Sequence, residues 1–224
     1  MELANNVLRY YLRNCYFING TAYAGKSTMC RMLAEKYRMI HCEENYNMDV
    51  ILSTATPEQQ PCLSYFRTKK SWQEYVSRTP EEYERWYLGN QREVTDFEIA
   101  ELIRLSAHQK VIVDTNIPCD ILREISDYHR VAIMLSPQSL SVERFFDRDD
   151  PEKQFLLGEI QKCPDPEKAL RNFLGGIARV NSPEHYREFA ESGFFTIIRE
   201  NPDQDTRQET LDRLARHFGL DAGQ

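Results

Sequence analysis

Short, almost uninterrupted apolar runs alternate along this chain with longer stretches whose apolar positions recur every three or four residues. Runs at 15–19 (CYFIN), 39–42 (MIHC), 110–114 (KVIVD), 130–135 (RVAIML) and 194–199 (FFTIIR) read as five strands. The third and fourth are nearly continuous in apolar residues, as strands covered on both faces should be. The alternation predicts an α/β layer architecture on a mainly parallel sheet.

The stretches between these runs carry helix signals. Residues 3–13 place Leu3, Val7, Leu8, Tyr11 and Leu12 on one face, and 26–37 follow the first strand directly. Asp150-Pro151, Asp165-Pro166 and Ser182-Pro183 each set a capping oxygen before a proline at the first helical position. Gly193 is a plausible stop. Thr206-x-x-Glu209 predicts a capping box for a last helix ending near Gly219. The segment 45–107 is longer than one crossover needs. It is rich in aromatics and helical in pattern, which predicts an inserted helical subdomain within a single domain covering 1–224.

Composition narrows the class. The 224 residues are 41% hydrophobic and 28% charged, ordinary globular usage that excludes a disordered or fibrous chain. The charge sum is 28 − 35 = −7, which disfavours generic binding to a nucleic-acid backbone, although residues 1–42 carry a local excess of +4. No apolar run approaches the ~18–20 residues that cross a bilayer. The N-terminus lacks the apolar core and cleavage site of a secretion signal. The six cysteines show no zinc-ligand spacing and read as reduced thiols, so a cytoplasmic location is expected. Composition leaves the oligomeric state open.

The strongest chemical signal is Gly20-Thr21-Ala22-Tyr23-Ala24-Gly25-Lys26-Ser27, a full G-x-x-x-x-G-K-[ST] motif between a strand and a helix. Glycines at 20 and 25 let backbone curl around phosphates, so that N–H groups point inward as an anion nest at the positive end of a helix. In such a loop, which continues through Thr28, Lys26 reaches the β- and γ-phosphates and the Ser27 hydroxyl ligates Mg²⁺.

The loop, its early position, the chain length and the helical segment after the second strand resemble the small P-loop kinases. These include nucleoside monophosphate, shikimate and gluconate kinases and the chloramphenicol phosphotransferases. Tyr23 stands where several members carry a further glycine. The resemblance implies a three-layer P-loop NTPase fold with about five parallel strands, a helical acceptor-binding insertion over 45–107 and a lid region over 138–181. It also implies ATP as donor, with the adenine cradled by 200–203, Glu200-Asn-Pro-Asp.

Asp114 ends the third strand at the position where that fold holds Mg²⁺. It is equally a candidate base for an acceptor hydroxyl, and the bland alternative is a cap on the turn 115–118. Glu43 and Glu44 end the second strand, where shikimate-kinase-like enzymes meet metal or acceptor; a solvated acidic loop is the other reading. Arg144 and Arg148, spaced i, i+4 after the fourth strand, resemble lid arginines that surround the transferring group with positive charge. A salt-bridge lattice with Glu143, Asp147 and Asp150 is the alternative. Arg179 is a further arginine candidate. Arg67, Arg78, Arg85 and Arg92, with the insertion's aromatics, could clamp a base or an acidic metabolite, or the aromatics could form that subdomain's own core.

Together these features lead to an expected ATP- and Mg²⁺-dependent kinase acting on a small-molecule acceptor. Lys26, Asp114, Arg144 and Arg148 are its catalytic candidates. Glu43, Glu44, Arg92 and Arg179 are its acceptor-side candidates, and Ser27 and Asp114 its metal ligands. A nucleotide-binding ATPase or switch without kinase activity is the alternative.

Overall fold

The computed structural model of the chain describes residues 3–143, 145–146, 151–201 and 204–221. Elements follow in the order α1 (Asn5–Tyr11), β1 (Cys15–Gly20), α2 (Lys26–Tyr37), β2 (Ile40–Cys42), α3 (Met48–Thr54), α4 (Pro61–Thr68), α5 (Trp72–Val76) and α6 (Pro80–Leu105). Then come β3 (Val111–Asp114), α7 (Cys119–Ile125), β4 (Val131–Leu135), α8 (Ser139–Glu143), α9 (Pro151–Gln161), α10 (Pro166–Val180), α11 (Pro183–Ala190), β5 (Phe195–Ile198) and α12 (Arg207–His217). The five strands form one all-parallel sheet in the order β2-β3-β1-β4-β5, flanked by helices. The expected α/β class with a five-stranded parallel sheet is therefore the architecture found.

The chain divides into two compact units. One, residues 1–48, 95–136 and 187–224, contains the sheet. Alternate strand positions point to opposite faces. Tyr16, Ile18, Ile112, Ala132 and Met134 pack with Met29, Cys30 and Leu33 of α2 and Leu211, Leu214 and Ala215 of α12. Their neighbours Phe17, Val111, Val113, Val131 and Ile133 are also fully buried, so both faces are covered and the strands read as unbroken apolar runs. Register sets Ile18 level with Asp114 and Gly20 level with Met134, which brings the carboxyl ends of β1, β3 and β4 together.

The other unit, residues 49–94 and 137–186, is helical among its described residues. Tyr75, Tyr83, Trp86, Leu156, Ile160, Phe173 and Ile177 form its core. Gly176 lets α10 lie directly on the Tyr83 ring, where a Cβ would come within 2.6 Å of the ring carbon. Most of the aromatics between the second and third strands thus build this unit's own core.

Local signals vary in outcome. Asp165 caps α10 by accepting the Lys168 N–H at 3.0 Å. The expected capping box of α12 does not form: Thr206 makes no side-chain cap, because its backbone (φ −112°, ψ 15°) is not extended. Asp205 instead accepts the Arg207 N–H at 3.1 Å. The first helix spans only Asn5–Tyr11, shorter than the 3–13 expected.

Candidate functional site

The loop between β1 and α2 needs backbone that ordinary side chains resist. Gly20 has φ +128°, and a Cβ there would collide with the Met134 carbonyl; Gly25 has φ +92°. Tyr23 is itself left-handed at φ +64°, a conformation costing a non-glycine residue roughly 1–2 kcal/mol. The loop is therefore held from outside. The Thr21 N–H donates to the Met134 carbonyl at 3.0 Å, and the Ser136 N–H donates to Thr21 Oγ1 at 2.8 Å. The Ser136 hydroxyl donates to the Ala22 carbonyl at 2.6 Å. Ala24 is buried against the same unit.

Gly25 supplies no side chain to cap α2, so the cap of this helix leaves its first-turn N–H groups for another acceptor. Lys26, the first helical residue, is buried and donates from Nζ to the Thr21 carbonyl at 3.3 Å, so its ammonium lies back across the loop. The Ser27 hydroxyl donates to Asp114 Oδ2 at 2.6 Å. Asp114 is 2% exposed, and its other oxygen, Oδ1, is buried without a partner among the described residues. Burial pushes its carboxyl up from the usual range, while the Lys26 charge and the Ser27 hydrogen bond pull it down.

A second buried carboxylate lies close by. Glu98 on α6 accepts the Thr115 hydroxyl at 2.7 Å. Burial drives its carboxyl up to about 7, reinforced by the charges of Asp114 and Glu44. Glu44, exposed, accepts Asn116 Nδ2 at 2.9 Å. Glu43 points to solvent, 4.0 Å from His41 Nδ1.

On the far side of α2, a cavity of about 580 Å³ opens between the helix start and the β5–α12 connection. Gly25, Thr28, Met134, Arg199, Asn201 and Arg213 are among its walls. Of the segment 200–203, Glu200 and Asn201 line it, and Pro202 and Asp203 fall outside the described residues. Arg199 donates to the Tyr23 carbonyl at 3.5 Å, tying the end of β5 to the loop.

The remaining candidates are arginines. Arg144 and Arg148 lie outside the described residues. Arg92 and Arg179 belong to the helical unit. There Arg179 is engaged by Glu84 at 2.8 Å and Glu81 at 3.2 Å, a structural ion-pair set. Arg78 lies 3.7 Å over the Tyr65 ring, within that unit's aromatic cluster.

Three residues of the site carry no motif. Asn19 and Ser136 are legible at most as polar residues closing apolar strands. Glu98 reads in the sequence as one more charge on a long helix, yet Thr95, Glu98, Leu102 and Ser106 make a buried stripe at helical spacing.

Among the described residues, no group of three or more His, Cys, Asp or Glu is arranged to hold a metal ion. No described helix is long and apolar enough to cross a membrane. No protein-family model matches the chain, and no curated protein matches it.

Proposed function

We propose that the chain is an ATP-dependent kinase for a small-molecule acceptor, built on a P-loop NTPase fold, with residues 20–28 binding the phosphates. The observation that carries this reading is the pairing of Ser27 Oγ with Asp114 Oδ2 at 2.6 Å, beside a buried Oδ1 that lacks a partner among the described residues. A hydroxyl at the first turn of α2 and a carboxylate at the end of the adjacent strand form a pair of hard oxygen donors. Mg²⁺ takes one or two such ligands from protein and completes its shell with water and phosphate oxygens. The residues present fit that ion, and Ser27 and Asp114 would hold it. Bound there, it would neutralise charge developing on the β- and γ-phosphates.

The chain's own groups supply the rest. The left-handed turns at Gly20, Tyr23 and Gly25 curl the backbone so that successive N–H groups and the start of α2 favour an anion. Lys26 lies across this loop, with Nζ at the Thr21 carbonyl, and would supply its positive charge to a bound phosphate. The cavity walled by Thr28, Arg199 and Asn201 is of a size for a nucleoside. Asp114 is committed to Ser27, so Glu44, steadied by Asn116, is the carboxylate we assign to the acceptor proton. Arg144 and Arg148, which lie outside the described residues, remain the proposed lid arginines on their spacing in the sequence.

The test is ADP release from Mg·ATP against pooled nucleosides, nucleoside monophosphates, sugar acids, shikimate-like acids and antibiotics, with Lys26→Ala as the blank. Stimulation by one pool above the acceptor-free rate supports the kinase and gives its acceptor class. Binding of ATP with no stimulation by any pool favours an ATPase or switch.

A further inference from the structure

We propose that Glu98 is a positioning residue for the phosphate-binding loop, acting through Thr115, Ile117 and Asn19 on the Gly20 amide. The proposal rests on the nucleotide-binding reading of that loop. The chain of contacts is continuous. Thr115 donates its hydroxyl proton to Glu98 Oε1 at 2.7 Å, and the same hydroxyl oxygen accepts the Ile117 N–H at 3.0 Å. The Ile117 carbonyl accepts Asn19 Nδ2 at 2.7 Å, and Asn19 Oδ1 accepts the Gly20 N–H at 2.6 Å. Glu98 is 8% exposed and Thr115, Ile117 and Asn19 at most 1%, so water does not compete for these bonds.

The direction of each bond follows from what each group can do. An amide N–H only donates, so Ile117 fixes the Thr115 oxygen as its acceptor. The single Thr115 proton must then find another acceptor, and Glu98 Oε1 is the one in reach. At the other end, the Asn19 amide cannot flip without setting donor against donor at Gly20 and acceptor against acceptor at Ile117. Gly20 is thus held through its N–H, while the next amide, that of Thr21, is held by Met134. The first bend of the loop is pinned from two strands. The Thr115 N–H also donates to the Ile18 carbonyl at 3.0 Å, so the same hub fixes the backbone that follows Asp114.

Packing alone does not account for a carboxylate here. No described cation pairs with Glu98, and Asp114 and Glu44 repel its charge. A leucine would fill such a buried helix position at lower cost. What a leucine could not do is orient the Thr115 hydroxyl.

The experiment compares Thr115→Val, which keeps the shape and removes the hydroxyl, with Thr115→Ser, which restores it. Glu98→Leu removes the far end of the chain and makes the same prediction should Thr115→Val fail to fold. The readouts are the Gly20 amide ¹⁵N–¹H resonance, the Mg·ATP dissociation constant and the melting temperature. In Thr115→Val the Gly20 resonance should move while that of Leu214 on α12 stays. Mg·ATP should bind roughly tenfold more weakly, the loss of one well-made buried hydrogen bond. Thr115→Ser should restore both, whatever drop in melting temperature the two variants share. A Gly20 resonance unmoved in Thr115→Val overturns the relay. A moved resonance with unchanged affinity overturns its role in positioning the loop. A wild-type chain that binds no Mg·ATP overturns the nucleotide reading instead, and the Gly20 resonance still decides whether the relay exists.

Discussion

Glu98→Gln should stabilise the chain above neutral pH and leave it nearly unchanged in acid. Burial raises the Glu98 carboxyl from 4.5 to about 7 in the folded chain. At about 1.36 kcal/mol per pH unit, this amounts to about 3 kcal/mol. The folded state holds this proton more tightly than the unfolded state does. Stability from it is full below about pH 4.5, falls as pH rises toward 7, and is gone above that. Glutamine carries no titrating proton and keeps an oxygen to accept the Thr115 hydroxyl. The difference between variant and wild type should therefore be near zero at pH 4.5 and reach about 1–3 kcal/mol at pH 8. For a chain of this size that is several degrees in melting temperature. Urea melts at the two pH values should be followed by far-ultraviolet circular dichroism, because both tryptophans, Trp72 and Trp86, lie in the helical unit and report on it rather than on the sheet. An equal difference at both pH values, or a loss at pH 8, would refute the claim that this carboxylate is buried at a cost.

Other substitutions separate the site from the scaffold. Asp114→Asn keeps an acceptor for Ser27 and removes a buried charge, so the melting temperature should hold while Mg²⁺-dependent ADP release drops on the order of 100-fold; undiminished turnover would remove Asp114 from the metal site. Gly20→Ala should cost at least about 2 kcal/mol in denaturant melts, since its Cβ meets the Met134 backbone at a φ that alanine resists. A neutral Gly20→Ala would contradict the loop geometry. Gly176→Ala should cost about 1–3 kcal/mol by driving a Cβ into the Tyr83 ring, seen as an earlier loss of tryptophan fluorescence signal without effect on nucleotide binding.

Much of the sheet was legible because a parallel sheet covered on both faces writes itself as unbroken apolar runs. VIVD at 111–114 and VAIML at 131–135 are strands for the reason they look like strands: no position faces water. Strand order was not legible, because nothing in an apolar run says which neighbour it will choose. The 20–27 loop stood out because its glycines are demanded by backbone, and Gly20 and Gly25 both adopt positive φ. Tyr23 shows the limit of that argument, since it takes a left-handed conformation without being glycine. The supports of the loop were hidden. Ser136 and Asn19 act through ordinary hydrogen bonds that any serine or asparagine can make, and Glu98 is buried on a helix whose charge suggests solvent. Pairing partners are hidden likewise: Arg179 lies against Glu81 and Glu84, far from it in sequence. The capping box of α12 failed because a motif specifies side chains but not the backbone angles that aim them.

The central claim is that residues 20–28 bind the phosphates of a nucleoside triphosphate. Isothermal titration of Mg·ATP into the wild-type chain and into Lys26→Ala tests it most directly. The account predicts saturable binding to the wild type. In Lys26→Ala it predicts affinity weaker by at least about tenfold, since a charge-assisted contact is lost, with an unchanged circular dichroism spectrum. No binding by the wild type, or equal affinity in the two proteins, would contradict it.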